Sequence, residues 1–152
     1  MLFRSQGVFA REELEARFEV LVERYLKQLD IEARTLAYLV RTHVAPALEQ
    51  QIARTGGAVR AARDAGLTSA STAEKLGRLV KHADALASAL GTLQARGARV
   101  GALHGEQALA AASAELVPAL VELRASADAI EAEIADDLWT LPRYRELLFL
   151  GV

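Results

Sequence analysis

The chain has 152 residues, of which 52% are hydrophobic and 5% aromatic, with a formal net charge of -2 and no cysteine. Alanine and leucine dominate, which favours a single helical domain. The nearly balanced charge argues against binding to nucleic acid or to an anionic membrane. No apolar stretch approaches the ~20 residues of a membrane span. Because the chain has no cysteine, it can form neither disulfides nor thiolate metal sites. We expect a cytoplasmic protein that binds neither nucleic acid nor membrane.

The first predicted element is one very long helix over residues 11–65, after an irregular lead-in at residues 1–10. Because steps of four outnumber steps of three in its apolar pattern, the period exceeds 3.5, which favours a nearly straight helix over a left-handed coiled coil. Pro46 predicts a kink or break near residues 42–46, and Gly66 marks the end. The pattern predicts one buried stripe, formed by Leu14, Phe18, Leu21, Tyr25, Leu29, Ala33, Leu36, Val40, Val44, Leu48 and Ile52.

Two further long helices follow. The second covers residues 71–96, with Ser71 and Glu74 as a capping box. The glycine-rich residues 97–105 are predicted to form a hinge-like connector. The third helix covers residues 103–137, and Pro118 predicts a second kink inside it.

The last residues differ in character, because an otherwise aromatic-poor chain places a Trp, a Tyr and a Phe close together after residue 138. Pro142 is expected to start a short helix over residues 142–148. Such a tail needs a docking surface, on its own bundle or elsewhere. The predicted fold is therefore all-α: residues 11–150 form one antiparallel bundle of about three long helices, the first and third kinked at proline, with a short helical, aromatic C-terminal tail.

The residues that could carry chemistry do not form a recognisable constellation. His43, His82 and His104 each lack a second histidine three or four positions away, as a helical metal site would need. Carboxylates are plentiful but fit solvated helix faces, and Glu32, beside the apolar stripe, is expected to pair with an arginine. We predict no catalytic, cofactor-binding or metal-binding residue. A small carboxylate-bridged metalloenzyme stays as an alternative.

Two segments resemble a known family. ELEARFEVLVERYLKQLDIEARTL at residues 13–36, followed by a Pro-Ala step at Pro46, and LVPALVELRASADAIEAEI at residues 116–134, running into DLWTLPRYRELLF, resemble the C-terminal helical region of type III glutamine synthetases. The chain departs from the family pattern at Thr140, where the closing motif usually has a proline. The matching positions include Arg17, Phe18, Glu32, Pro46, Trp139, Pro142, Tyr144 and Phe149.

The resemblance implies a part of a long bacterial enzyme that joins ammonia to glutamate with ATP and Mg or Mn. In that family the nucleotide, metal and substrate ligands lie upstream of this region, so no catalytic residue carries over and no cofactor is expected in this chain. The implied partners are the catalytic domain of the parent enzyme and, in a dodecamer, other copies. The expected role is structural, oligomer-packing or regulatory; the alternative is a free-standing helical adaptor or regulatory protein. The candidate structural or interface residues are Arg17, Phe18, Tyr25, Glu32, Pro46, Trp139, Pro142, Tyr144 and Phe149.

Overall fold

The computed structural model describes residues 10–143 and Glu146, and within them the prediction of an all-α fold is confirmed: every regular element is helical. Three long helical stretches pack as a bundle, with the second antiparallel to the first. The elements are α1 (Arg11–Leu39), a first π segment (Val40–Val44), α2 (Ala45–Asp64), α3 (Ala70–Gly101), α4 (Gly105–Ala111), a second π segment (Ala112–Leu116) and α5 (Val117–Glu131).

Both π segments end just before a proline. Proline lacks an N–H, and in an α-helix its ring collides with the carbonyl four residues earlier. Before Pro46 the N–H of Ala45 donates to the carbonyl of Val40, and before Pro118 the N–H of Val117 donates to that of Ala112. These i→i−5 bonds widen the turn, so the helical path continues through each proline instead of breaking.

The wider turns also fit the spacing of the buried apolar residues around each proline, which is four residues. Val40, Val44 and Leu48 are all almost fully buried around the first π segment, at successive steps of four. Ala108, Ala112 and Leu116 repeat the pattern at the second. The largest completely buried side chains include Leu79 of α3 and Leu123 of α5, which lie in the same core cluster.

The reversal between α2 and α3 is built on Gly66, as the sequence predicted. Its φ is 70°, in the left-handed region that an L side chain rarely adopts. The Gly66 N–H donates to the carbonyl of Arg63 and the Leu67 N–H to that of Ala62, both at 2.9 Å. This pair of bonds is a Schellman motif, which satisfies the last carbonyls of α2 while turning the chain back.

Several predicted boundaries differ from the structure. The second helix starts at Ala70, with Ser69 rather than Ser71 as its N-cap residue, because Ser69 has the extended backbone of a cap. It continues past Gly97 to Gly101, since Val100 is buried in the core and offsets the weak helix propensity of glycine. The third helix ends at Glu131 instead of 137. The predicted short helix at 142–148 lies almost wholly outside the described residues.

The prediction of one continuous buried stripe is wrong for the first half of α1. Leu14, Phe18, Leu21 and Tyr25 are 38–63% exposed, whereas Leu29 is buried. At this end of α1 the α3–α4 turn, at Leu103 and His104, lies beside Phe18 and Val22. An amphipathic stripe is buried only where another element runs alongside it, and a turn covers less of the stripe than a helix would.

Candidate functional site

Residues 135–143, which follow α5 after a short turn, form a segment that we call the C-terminal latch. The Ala135 N–H donates to Gln51 Oε1 at 3.1 Å, and the Gln51 amide also donates to Thr55 Oγ1 at 3.2 Å. Both side chains are buried on α2. The oxygen and the nitrogen of the Gln51 amide are both hydrogen-bonded. This fixes where the latch can cross α2, because a shift of the latch would leave buried polar groups unpaired.

Two side-chain contacts hold the latch farther along its length. Arg54 donates two hydrogen bonds to the carboxylate of Asp137, at 2.9 and 2.5 Å. His43 Nδ1 and Thr140 Oγ1 are 2.7 Å apart. His43 lies in the first π segment, so the latch contacts the long helical stretch on both sides of Pro46.

The apolar side of the latch packs on the bundle. Leu138, Trp139 and Leu141 are partly buried against the core cluster. The indole N–H of Trp139 is buried and has no hydrogen-bond partner among the described residues. The latch therefore combines apolar burial, the main favourable term, with polar contacts that fix its register.

Arg143 folds the latch back onto the end of α5. Its guanidinium donates to the carbonyls of Glu131 at 3.3 Å and Ile134 at 3.1 Å, and contacts the carboxylate of Asp136 at 2.8 Å. A cation at a helix C-terminus satisfies unpaired carbonyls and interacts favourably with the helix dipole. This contact supplies a physical reason for the third helix ending before the predicted boundary.

Ion pairs shift the pKa values of two carboxylates in this region. The hydrogen bond from Arg54 lowers the pKa of Asp137, and the hydrogen bond from Arg78 of α3 lowers the pKa of Glu133. The same contacts raise the pKa of each arginine. Both pairs are accessible to solvent, so they orient the latch and the turn before it more than they stabilise them.

The sequence-predicted candidates do not converge on one site. Arg17, Phe18 and Tyr25 lie on the exposed part of α1. Glu32 is exposed as well, and it accepts a hydrogen bond from Gln28 at 3.0 Å instead of the predicted contact with arginine. Pro46 follows the first π segment, Trp139 and Pro142 belong to the latch, and Tyr144 and Phe149 lie outside the described residues.

Sequence reasoning missed the polar residues that position the latch, chiefly Gln51, Arg54 and Arg143. Gln51 and Thr55 are four residues apart next to the apolar stripe, a signal that could have indicated a buried polar pair. Nothing local marks Arg54 or Arg143, because their partners are distant in the sequence or belong to the main chain.

The described residues contain no group of three or more His, Asp or Glu side chains placed to hold a metal ion. Of the helices in the described part, none is long and apolar enough to cross a membrane. What the described geometry does provide is an all-helical bundle with one docked segment and one exposed helix face.

Comparison with known proteins identifies the class. A family model described as "Glutamine synthetase C-terminal domain" matches residues 1–63. The chain is also similar to a type-3 glutamine synthetase of Dictyostelium discoideum, with 29% identity over 98% of the chain. A glutamine synthetase of Bacteroides fragilis is 34% identical over 95% of the chain.

The family model and both relatives confirm the resemblance found in the sequence, which is to the C-terminal domain of glutamine synthetases. The chain spans 21% of the length of each of these two relatives. The family model covers α1, the first π segment and nearly all of α2, where the sequence motif of residues 13–36 also lies.

Proposed function

We propose that this chain is the non-catalytic helical domain of a type III glutamine synthetase and acts as a packing element within that enzyme. The observation that carries the proposal is the pair of similarities over almost the whole chain to proteins several times its length. The latch supports it physically, because its polar and apolar contacts make the bundle a stable support for neighbouring parts.

In this proposal the parent reaction is the ATP-dependent ligation of ammonia to glutamate, with Mg or Mn supplied at a site outside this chain. The partners would be the catalytic domain of the parent enzyme and further copies in a cytoplasmic homo-oligomer. The support from this chain is its composition, which has no cysteine and a nearly balanced charge, and its exposed apolar helix face.

The direct test is an activity assay on the purified chain. We expect no ATP-dependent glutamine formation above a blank without protein, at any Mg or Mn concentration. Measurable turnover that depends on ATP and ammonia would overturn the non-catalytic role.

A second experiment tests the packing role. The parent synthetase should be prepared with and without the segment corresponding to this chain, and its assembly measured by light scattering. We expect loss of the segment to reduce the assembled fraction. Unchanged assembly, or an upstream reading frame that encodes no synthetase, would favour the free-standing adaptor instead.

A further inference from the structure

The C-terminal latch contains a buried polar group without a hydrogen-bond partner. The indole N–H of Trp139 is shielded from solvent, and no described residue accepts a hydrogen bond from it. Water accepts that bond when the latch is undocked, so docking gives up a hydrogen bond that it does not replace. The closed latch therefore carries a free-energy cost at Trp139 that an open latch does not have.

The contacts that oppose this cost are few. No residue of the latch is among the fully buried members of the core cluster, and its apolar side chains are only partly buried against that cluster. The main-chain N–H groups of Leu138 and Trp139 donate to carbonyls within the latch itself. The contacts of the latch with Arg54 and His43 are exposed, and exposed polar pairs contribute little to stability. Such a segment can open locally while the helices beneath it stay packed.

The surface of α2 beneath the latch suits both the closed and the open state. Gln51 and Thr55 are buried there, and the Gln51 amide nitrogen donates to the Thr55 hydroxyl at 3.2 Å. That bond lies within α2, so it does not depend on the latch. On opening, the Gln51 oxygen exchanges the Ala135 N–H for water. A purely apolar floor would instead be penalised by exposure to water.

We infer that the C-terminal latch is a releasable strap, which opens as a unit while the helical stretches stay packed, and that the unpartnered indole N–H of Trp139 limits the stability of its closed state. Opening uncovers the polar floor on α2 and frees the apolar side chains of Leu138, Trp139 and Leu141 for another surface. The inference goes beyond the proposed packing role, because it concerns a motion within this chain. It can therefore stand or fail separately from that role.

Amide hydrogen exchange, followed by NMR on the full chain, tests whether the latch opens by itself. The Ala135 N–H reports opening, because its acceptor is the side chain of Gln51 on α2. The Leu93 N–H reports unfolding of the bundle, because Leu93 is buried in α3. We expect Ala135 to exchange at least about tenfold faster than Leu93 after correction for intrinsic rates, and urea to accelerate Leu93 more strongly. Equal rates with an equal response to urea would overturn the inference.

Replacing the indole N–H by sulfur tests the role of Trp139. Because Trp139 is the only tryptophan in the chain, an expression host that cannot make tryptophan and is supplied with benzothienylalanine changes this position alone. The analogue keeps the shape of the indole and lacks its donor. We expect exchange at Ala135 to slow about tenfold, which corresponds to about 1.4 kcal/mol, because the closed latch no longer buries an unpartnered donor. Unchanged or faster exchange would contradict the role given to the N–H.

Leu138→Ala is the matched control. It removes an apolar contact of the latch with the core and leaves Trp139 unchanged. Here we expect faster exchange at Ala135, the direction opposite to that of the analogue. An unchanged rate would show that Ala135 does not follow the docking of the latch, and the inference would fail. Circular dichroism spectra that match the wild type confirm that the helices are retained in both altered proteins.

Discussion

The two ends of the first long helical stretch have the same kind of amphipathic sequence but different surroundings. Between Val40 and Thr55 the inward residues are almost completely buried against α3, α5 and the C-terminal latch. Between Leu14 and Tyr25, Val22 is buried, but Leu14, Phe18, Leu21 and Tyr25 stay 38–63% exposed. The difference shows that the same kind of pattern is buried where other elements lie alongside it and stays exposed where they do not.

The largest expected effect comes from comparing a buried with an exposed leucine. Leu48 is 1% exposed, so Leu48→Ala leaves a cavity and should lower the free energy of unfolding by about 2–5 kcal/mol. Leu21 is 63% exposed, and Leu21→Ala should change it by less than about 0.5 kcal/mol. Urea unfolding of both variants measures the difference, and equal losses would contradict the contrast between the two ends.

The next effect isolates the polar contact beneath the latch. Gln51→Ala leaves the partly buried N–H of Ala135 without its acceptor and should destabilise the chain by about 1–3 kcal/mol. Gln50 is its exposed neighbour, and Gln50→Ala should be nearly neutral. If thermal unfolding gives the two variants the same stability, the latch does not depend on this contact.

Alanine substitution at two glycines in the same region should change the stability of the chain in opposite directions. Gly66→Ala forces an L residue into a φ of 70° and should cost about 1–2 kcal/mol. Gly57 lies inside α2, where an added Cβ would meet no atom within 4 Å, and Gly57→Ala should stabilise the chain by up to about 1 kcal/mol. Matching signs in chemical denaturation would show that the Schellman turn does not control this end of the bundle.

The smallest effect is the response of the latch to acid. Because the pKa values of Asp137 and Glu133 are lower when folded than unfolded, their ion pairs stabilise the chain above the unfolded pKa. That contribution should fade as the pH falls below about 4, through the folded values. Asp137→Asn should flatten this part of the stability profile measured by thermal unfolding from pH 6 to 2. A variant profile parallel to the wild type would contradict the role of the pair with Arg54.

The apolar period predicted the helices well, because burial along a helix follows its own repeat. Pro46 and Pro118 marked the places where the α-helical hydrogen bonding is interrupted. The sequence could not show that a π turn before each proline lets the helix continue. The exposure of Phe18 and Leu21 could not be predicted, since it depends on where α3 ends and α4 begins. The latch contacts of Gln51, Arg54 and Arg143 were missed because they join positions that only the folded chain brings together.

Amide hydrogen exchange along the first long helical stretch tests most directly whether its two ends differ in stability. The latched region, residues 40–55, should show strong protection, because other elements pack along it. Residues 14–25 should be weakly protected, because most of their apolar stripe is exposed. Equal protection of both regions would contradict the contrast between the two ends.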